Sequence, residues 1–301
     1  VARRGDRGAA RPGPALVPYL FLAPAIVLFT LFVLVPIGYT AYLSLHRVRV
    51  SGLGLGRGSR TQVFAGLDTY RQALGDPELW RGALRVLGYG ALLVPTMLGL
   101  ALLFALLLDR PRVRLARFSR ISIFLPYAVP GVVASVLWGF LYLPALTPLP
   151  VPEGLLGPGL LFAVANIGLW GGVGFNMLVI LTALRAVPPE VTESARLDGA
   201  SELQIALRVK TPLVTPALIM AGLFTLIATL QVYTEPTTLA PLTNALPSTW
   251  TPLMKVYNDA FVRDDIHSAA ATSVVLAAIT LTFSLVFLRV VAGRAFAGER
   301  S

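Results

Sequence analysis

Enzymatic chemistry or metal binding would need clustered imidazoles, thiols or carboxylates, and this sequence offers few of each. Its two histidines, His46 and His267, lie far apart in the chain, and there is no cysteine. Disulfide, iron–sulfur and thiol chemistry are therefore excluded, and no metal site is expected. Gly52, Gly54, Gly56 and Gly58 look superficially like a phosphate loop. They follow no buried strand and open no helix, so a flexible outer loop is the expectation there. No Walker-type loop occurs elsewhere, and the chain is not expected to hydrolyse ATP.

What remains is a set of polar and aromatic side chains embedded in apolar sequence: Tyr127, then Asn166, Trp170 and Asn176, then Gln231, Tyr233 and Glu235. Polar groups are expensive inside a membrane, so each is a candidate for a substrate path. Aromatic faces suit the C–H surfaces of sugars, and amides suit their hydroxyls. Helix-to-helix hydrogen bonding or anchoring at the membrane interface is the alternative use of the same residues. The acids otherwise sit in loops and at helix ends, which argues against an ion-coupled secondary transporter. The scarcity of histidines argues likewise against an intramembrane enzyme.

These residues belong to a membrane protein. Hydrophobic residues make up 55% of the 301, and charged residues only 13%, against roughly a quarter in soluble domains. The mean hydropathy is +0.73. At about 20 residues per crossing, six spans are expected, over residues 16–43, 82–108, 120–143, 160–186, 213–235 and 269–291. Together, residues 16–291 form one all-α transmembrane domain between two polar tails, 1–15 and 292–301, both read as cytoplasmic. The first span is too long for a signal peptide and reads as a retained helix. Pro24, Pro36, Pro95, Pro126 and Pro130 predict kinks within spans. The net charge of +10 does not point to nucleic acid, because the basic residues flank the spans. With both termini in the cytoplasm, sixteen of the 25 Lys and Arg face inside and nine outside, the sense of the positive-inside rule. Seven Arg in the first outer loop run against it.

Between the fourth and fifth spans lies a polar connection, AVPPEVTESARLDGASELQIALRVKTPLVTPAL, residues 186–218. Pro188 and Pro189 suit a helix start, with Glu190 and Glu193 in the first turn. Gly199 breaks this helix. Ser201 then caps a second, carrying Leu203, Ile205, Ala206 and Leu207, and Pro212 is expected to close it. The connection reads as helix, glycine turn, helix at the cytoplasmic surface.

Here the sequence resembles the permease subunits of binding-protein-dependent ABC importers. Their signature is Glu-Ala-Ala, three residues, Gly, nine residues, Ile-x-Leu-Pro. This chain has Glu193, Ser194 and Ala195, then Gly199, then Val209, Lys210, Thr211 and Pro212 at the same spacing. Ser194, Val209 and Thr211 are the departures. Arg196, Asp198, Gly199, Ala200 and Ser201 match the extended form typical of the carbohydrate branch. Residues 20–45, 64–84, 124–142 and 167–191 continue the likeness, on the side of the first of two paired permeases, the maltose and glycerol-phosphate type. Residues 144–159 and 237–249 depart from it.

The resemblance implies a bacterial inner-membrane protein that forms half of the path for a sugar or sugar derivative. An extracytoplasmic binding protein would deliver that sugar. The implied partners are a second permease and two ATPase subunits, which would bind ATP and magnesium; no cofactor is implied for this chain. Glu193, Ser194, Ala195, Arg196, Asp198, Gly199, Ala200 and Pro212 would form the ATPase-coupling loop, 187–212. The loop motif alone also permits a peptide or amino-acid importer.

Overall fold

The computed structural model describes residues 16–50, 60–110, 115–146 and 155–289. The two tails, the glycine cluster 52–58 and the middle of the Pro-rich segment 144–159 lie outside them.

The chain opens with α1 (Leu16–Phe29), a π-helical turn (Thr30–Leu34) and α2 (Val35–Ser44), forming one rod. The π turn immediately precedes Pro36. A proline has no N–H to give and its ring crowds the carbonyl four residues back. The Val35 N–H instead reaches five residues back, to the Thr30 carbonyl. No residue of the apolar stretch of this rod is buried. Beyond it, β1 (His46–Val50) pairs antiparallel with β2 (Arg60–Phe64), His46 opposite Phe64. This hairpin was not legible as strands. It precedes α3 (Asp68–Gly75) and α4 (Pro77–Leu108). Helix α4 starts before the expected residue 82 because Asp76 caps it, accepting the Glu78 N–H at 2.9 Å, with Pro77 in the first turn.

The third expected span is broken. α5 (Ala116–Phe124) and a 3₁₀ turn (Leu125–Ala128) meet α6 (Gly131–Leu141) at 98°. Pro126 and Pro130 bracket the break, and Val129 between them is extended, as a residue before proline prefers. α7 (Leu160–Arg185) crosses as expected. The 187–212 connection holds α8 (Pro189–Leu197), α9 (Glu202–Gln204), a π-helical segment (Ile205–Lys210) and α10 (Thr211–Leu213), before α11 (Thr215–Leu230) turns away by 68°. Span five thus stops at Leu230 rather than 235. A three-residue break, 231–233, separates it from α12 (Thr234–Leu239). α13 (Pro252–Tyr257), a π turn (Asn258–Val262) and α14 (Ile266–Phe287) complete the described residues.

Among the described residues four helices are long and apolar enough to cross a membrane, and each bent pair taken as one span makes six. The central packing is α4 against α7, with α11 beside them. One core cluster centres on Tyr89, Leu93, Met97, Val164 and Ile167, and the other on Ala101, Ala105, Met177, Ile180 and Val214. Glycine allows the closest approach: a Cβ on Gly174 would overlap the Ile123 carbonyl and the Phe124 backbone.

Candidate functional site

A cavity of about 400 Å³ opens where α4, α7 and α11 meet the segment 231–235. Tyr89, Leu93 and Met97 come from α4, and Gly168, Gly172, Phe175 and Asn176 from α7. α11 contributes Phe224, Thr225, Ala228 and Thr229, and the segment after it adds Gln231, Tyr233 and Glu235. Its shape is made partly by absence: a Cβ on Gly168 would meet Tyr89 Oη at 2.7 Å, and one on Gly172 would meet Met97 Cε at 2.6 Å.

Five of the seven substrate-path candidates gather here: Tyr127, Asn176, Gln231, Tyr233 and Glu235. Tyr127 enters from the 3₁₀ turn, stacked on Phe175 with ring centres 4.9 Å apart. Asn176 is buried; its amide donates to the Gly172 carbonyl at 3.1 Å and its oxygen accepts from Thr225 at 3.4 Å. Gln231 and Tyr233 face the cavity because α11 has ended.

Asn166 and Trp170 do not belong to this group. Asn166 donates to Tyr142 Oη at 2.9 Å, and that hydroxyl donates to the Ala163 carbonyl at 3.0 Å. Trp170 packs edge-on against Trp138, with ring centres 5.9 Å apart. The reason is helical phase. At about 100° per residue, Gly168, Gly172, Phe175 and Asn176 share one side of α7 and face the cavity, while Asn166 and Trp170 fall on the other, against α6. Tyr89, Thr225 and Thr229 were missed; a tyrosine in an apolar span and two threonines one turn apart were the available signal.

The 187–212 connection joins two of the cavity-lining helices, α7 and α11. Gly199 sits at φ +82, the left-handed conformation that glycine adopts without penalty. Its N–H donates to the Arg196 carbonyl and the Ala200 N–H to the Ala195 carbonyl, both at 3.0 Å. This is the Schellman arrangement for ending a helix. Ser201 and Gln204 then cap the next helix reciprocally, side chain to backbone in both directions. Arg196 reaches across the turn to Glu202 at 2.8 Å. Glu193, Ser194 and Asp198 are exposed, and Ala195 and Ala200 are half-buried. Leu197, 89% exposed, and Leu203, 66% exposed, are the most exposed apolar side chains of the connection, with Leu207 and Val191 also exposed.

Pro212 does not close the second helix. The π-helical segment carries the helix past it: the Thr211 N–H reaches back to the Ala206 carbonyl, as happens before Pro36, and the helix bends only at Val214. Lys210, within that segment, pairs at 2.5 Å with Asp109 at the end of α4. The connection is therefore tied to all three long helices of the cavity.

At the other end of α4 lies a second ion cluster. Lys255, 3% exposed at its side chain, meets Asp76 at 2.8 Å and is also paired with Asp259, which Arg263 approaches at 3.3 Å. Burial alone would favour a neutral Asp76, but the Lys255 hydrogen bond and the Glu78 N–H outweigh it and hold the carboxyl below its ordinary value. Burial likewise opposes the Lys255 charge, and its bonds to Asp259 and Asp76 outweigh that and raise it. Among the described residues no cluster of His, Asp and Glu is arranged to hold a metal.

Known proteins share this organisation. A glycerol-3-phosphate transport system permease, UgpA of Agrobacterium fabrum (strain C58), is 30% identical over 94% of this chain and 97% of its own length. The diacetylchitobiose uptake system permease NgcF of Streptomyces coelicolor is 29% identical over 89% of this chain and 80% of its own. Among solved structures, a bacterial ABC transporter involved in import of the acidic polysaccharide alginate contains a chain of the same fold. Its TM-score is 0.75 at 18% identity, covering 91% of this chain and 94% of that one. The relatives are transport permeases, and this chain is a transport subunit rather than an enzyme. Residues 97–296 match the family described as binding-protein-dependent transport system inner membrane component, and the chain belongs to that family.

Proposed function

We propose that the chain forms half of the membrane path of an ATP-driven importer for a sugar or sugar derivative, with the α4–α7–α11 cavity as its share of that path. One observation carries this reading. The exposed 187–212 connection is continuous with α7 and α11 and ion-paired to α4, so a rigid displacement of it moves three walls of the cavity together. That is a bistable bundle biased from one end. The exposed leucines and the Schellman turn suit docking on an ATPase subunit. Two such subunits would bind ATP and magnesium, and a second permease would complete the path. An extracytoplasmic binding protein would supply the sugar on the side opposite the connection, with both termini cytoplasmic. The sugar assignment rests on what the relatives' names say they carry and on the tyrosines and amides of the cavity.

The experiment is uptake and co-purification with the complete importer. The parental protein should bring down a second permease and two ATPase copies, and should take up sugar only with ATP. Ala228→Trp fills the cavity from an exposed position on α11 and should stop uptake while leaving the ATPases bound. Uptake by this chain alone in liposomes would refute the reading. Because the chain lacks cysteine, orientation is read with single replacements: Arg208→Cys should react from inside only, and Gln72→Cys from outside.

A further inference from the structure

The cavity has a charge character that its shape does not require. Among the described residues that line it the one carboxylic acid is Glu235, in the first turn of α12, and none is a lysine, arginine or histidine. The remaining polar groups are neutral: tyrosine hydroxyls, threonine hydroxyls, and the amides of Asn176 and Gln231. Two basic residues toward the Asp76 end are committed elsewhere. Lys255 is held between Asp76 and Asp259, and Arg85 donates to the Trp250 carbonyl at 3.5 Å.

A phosphate or carboxylate entering this space gives up water and meets no cation in return. A charge buried without a partner is strongly disfavoured. Hydroxyl, acetamido and ammonium groups fare differently, because the amides, the tyrosines and the Glu235 carboxyl can all accept from them. Two relatives described above carry names with anionic cargo, sn-glycerol-3-phosphate and the acidic polysaccharide alginate. A third is named for diacetylchitobiose, an uncharged amino-sugar derivative.

We infer that this half of the path selects uncharged or cationic saccharides against anionic ones, and that Glu235 is the residue that sets the selection. The inference rests on the cavity being the sugar path. Like-charge contact is a common way to reject a near-identical competitor without contributing to affinity for the right one.

The test compares three disaccharides of one size and different charge: diacetylchitobiose, neutral; chitobiose, cationic; and an alginate-type diuronate, anionic. Ala228→Cys places one thiol at an exposed cavity position in a chain that has none. Its maleimide labelling is followed in the assembled importer without the binding protein, so that only the path's own preference is read. The neutral and cationic sugars should protect the thiol at concentrations about tenfold or more below the diuronate. Glu235→Arg in this background should reverse the order. Glu235→Gln should narrow the gap without reversing it, which keeps the test open if the arginine variant fails to assemble. Equal or better protection by the diuronate in the parental background would overturn the charge selection. So would an unchanged order in both Glu235 variants. Protection by none of the three sugars would instead overturn the cavity as the sugar path, and the selection with it.

Discussion

The two ends of α4 carry ion pairs of different kinds. At Asp76 a lysine is shared by two carboxylates, its side chain 3% exposed, and two stretches of chain distant in sequence, at 76 and at 255–263, converge there. At Asp109 a single pair forms with Lys210, whose side chain is 20% exposed, and in the segment that carries Lys210 the neighbouring Leu207 and Arg208 are exposed. One end is locked by charges that cannot separate without leaving a buried ion alone. The other is fastened by one contact that can be released and remade. On the function proposed above, this asymmetry would give a fixed frame at one end and a lever on a single tether at the other.

The largest expected effect tests the locked end. Lys255→Met leaves Asp76 and Asp259 without their shared cation and should lower stability by about 3 kcal/mol or more, read from thermal unfolding of the purified protein. A loss too small to measure would mean that the cluster does not hold the frame. The same cluster predicts the pH profile. Asp76 titrates below its ordinary 3.8 when folded, so its contribution is present above that value and is lost as pH falls through the folded pKa. Lys255 titrates above its ordinary 10.5, so its contribution is complete below 10.5 and is lost as pH rises beyond it. Stability should therefore be level at neutral pH and fall at both extremes, and Lys255→Met should lose the alkaline fall.

The lever is broken differently. Gly199→Val forces a branched side chain to φ +82, at a local cost of about 1–2 kcal/mol. An added Cβ there meets no described atom within 4 Å and the strain is local to the turn, so the spans should unfold at the parental temperature while ATPase retention and sugar uptake collapse. Gly75→Ala, in open space and without positive φ, is the comparison and should be silent in both assays.

Lys210→Met should cost about 1 kcal/mol. Its diagnostic is functional: ATPase subunits still bind, but uptake per ATP falls. A double-mutant cycle with Asp109→Asn should show that the two losses are not additive. Arg196→Gln removes an exposed pair across the turn and should not change stability measurably, so any loss should appear in ATPase retention and uptake alone. A large effect there would mean that Arg196 touches the docked partner.

Much of this was legible beforehand. The apolar stretches marked the crossings, because length and composition suffice for that. The Gly199 turn and the Ser201 cap were readable because their signals are local, a few residues on either side. The Asp76–Lys255 bond was not, since its two members lie far apart in sequence, whereas Lys255 and Asp259 are one helical turn apart. The 98° break in the third span was hidden because both of its halves are equally apolar; Pro126 and Pro130 announced a kink but not its size. Asn166 and Trp170 were grouped with Asn176 by shared polarity, although their phase on the helix already separated them. The hairpin at His46–Phe64 was obscured by charge, since arginines at Arg47 and Arg49 read as loop.

The π-helical segment Ile205–Lys210 has a further consequence for how this region tolerates change in length. It holds one more residue per turn than an α-helix would over the same rise, and so stores a spare position. Deleting that position would restore ordinary winding and leave Leu203 aimed much as it is now relative to α11, because the π turn already absorbs the extra residue. Removing a residue from the regular winding of α11 would instead rotate everything before it by about 100° and shift it by about 1.5 Å. The consequence of a change in length here depends on where the residue is counted: it is absorbed within Ile205–Lys210 and re-aims the connection when made in the neighbouring helix.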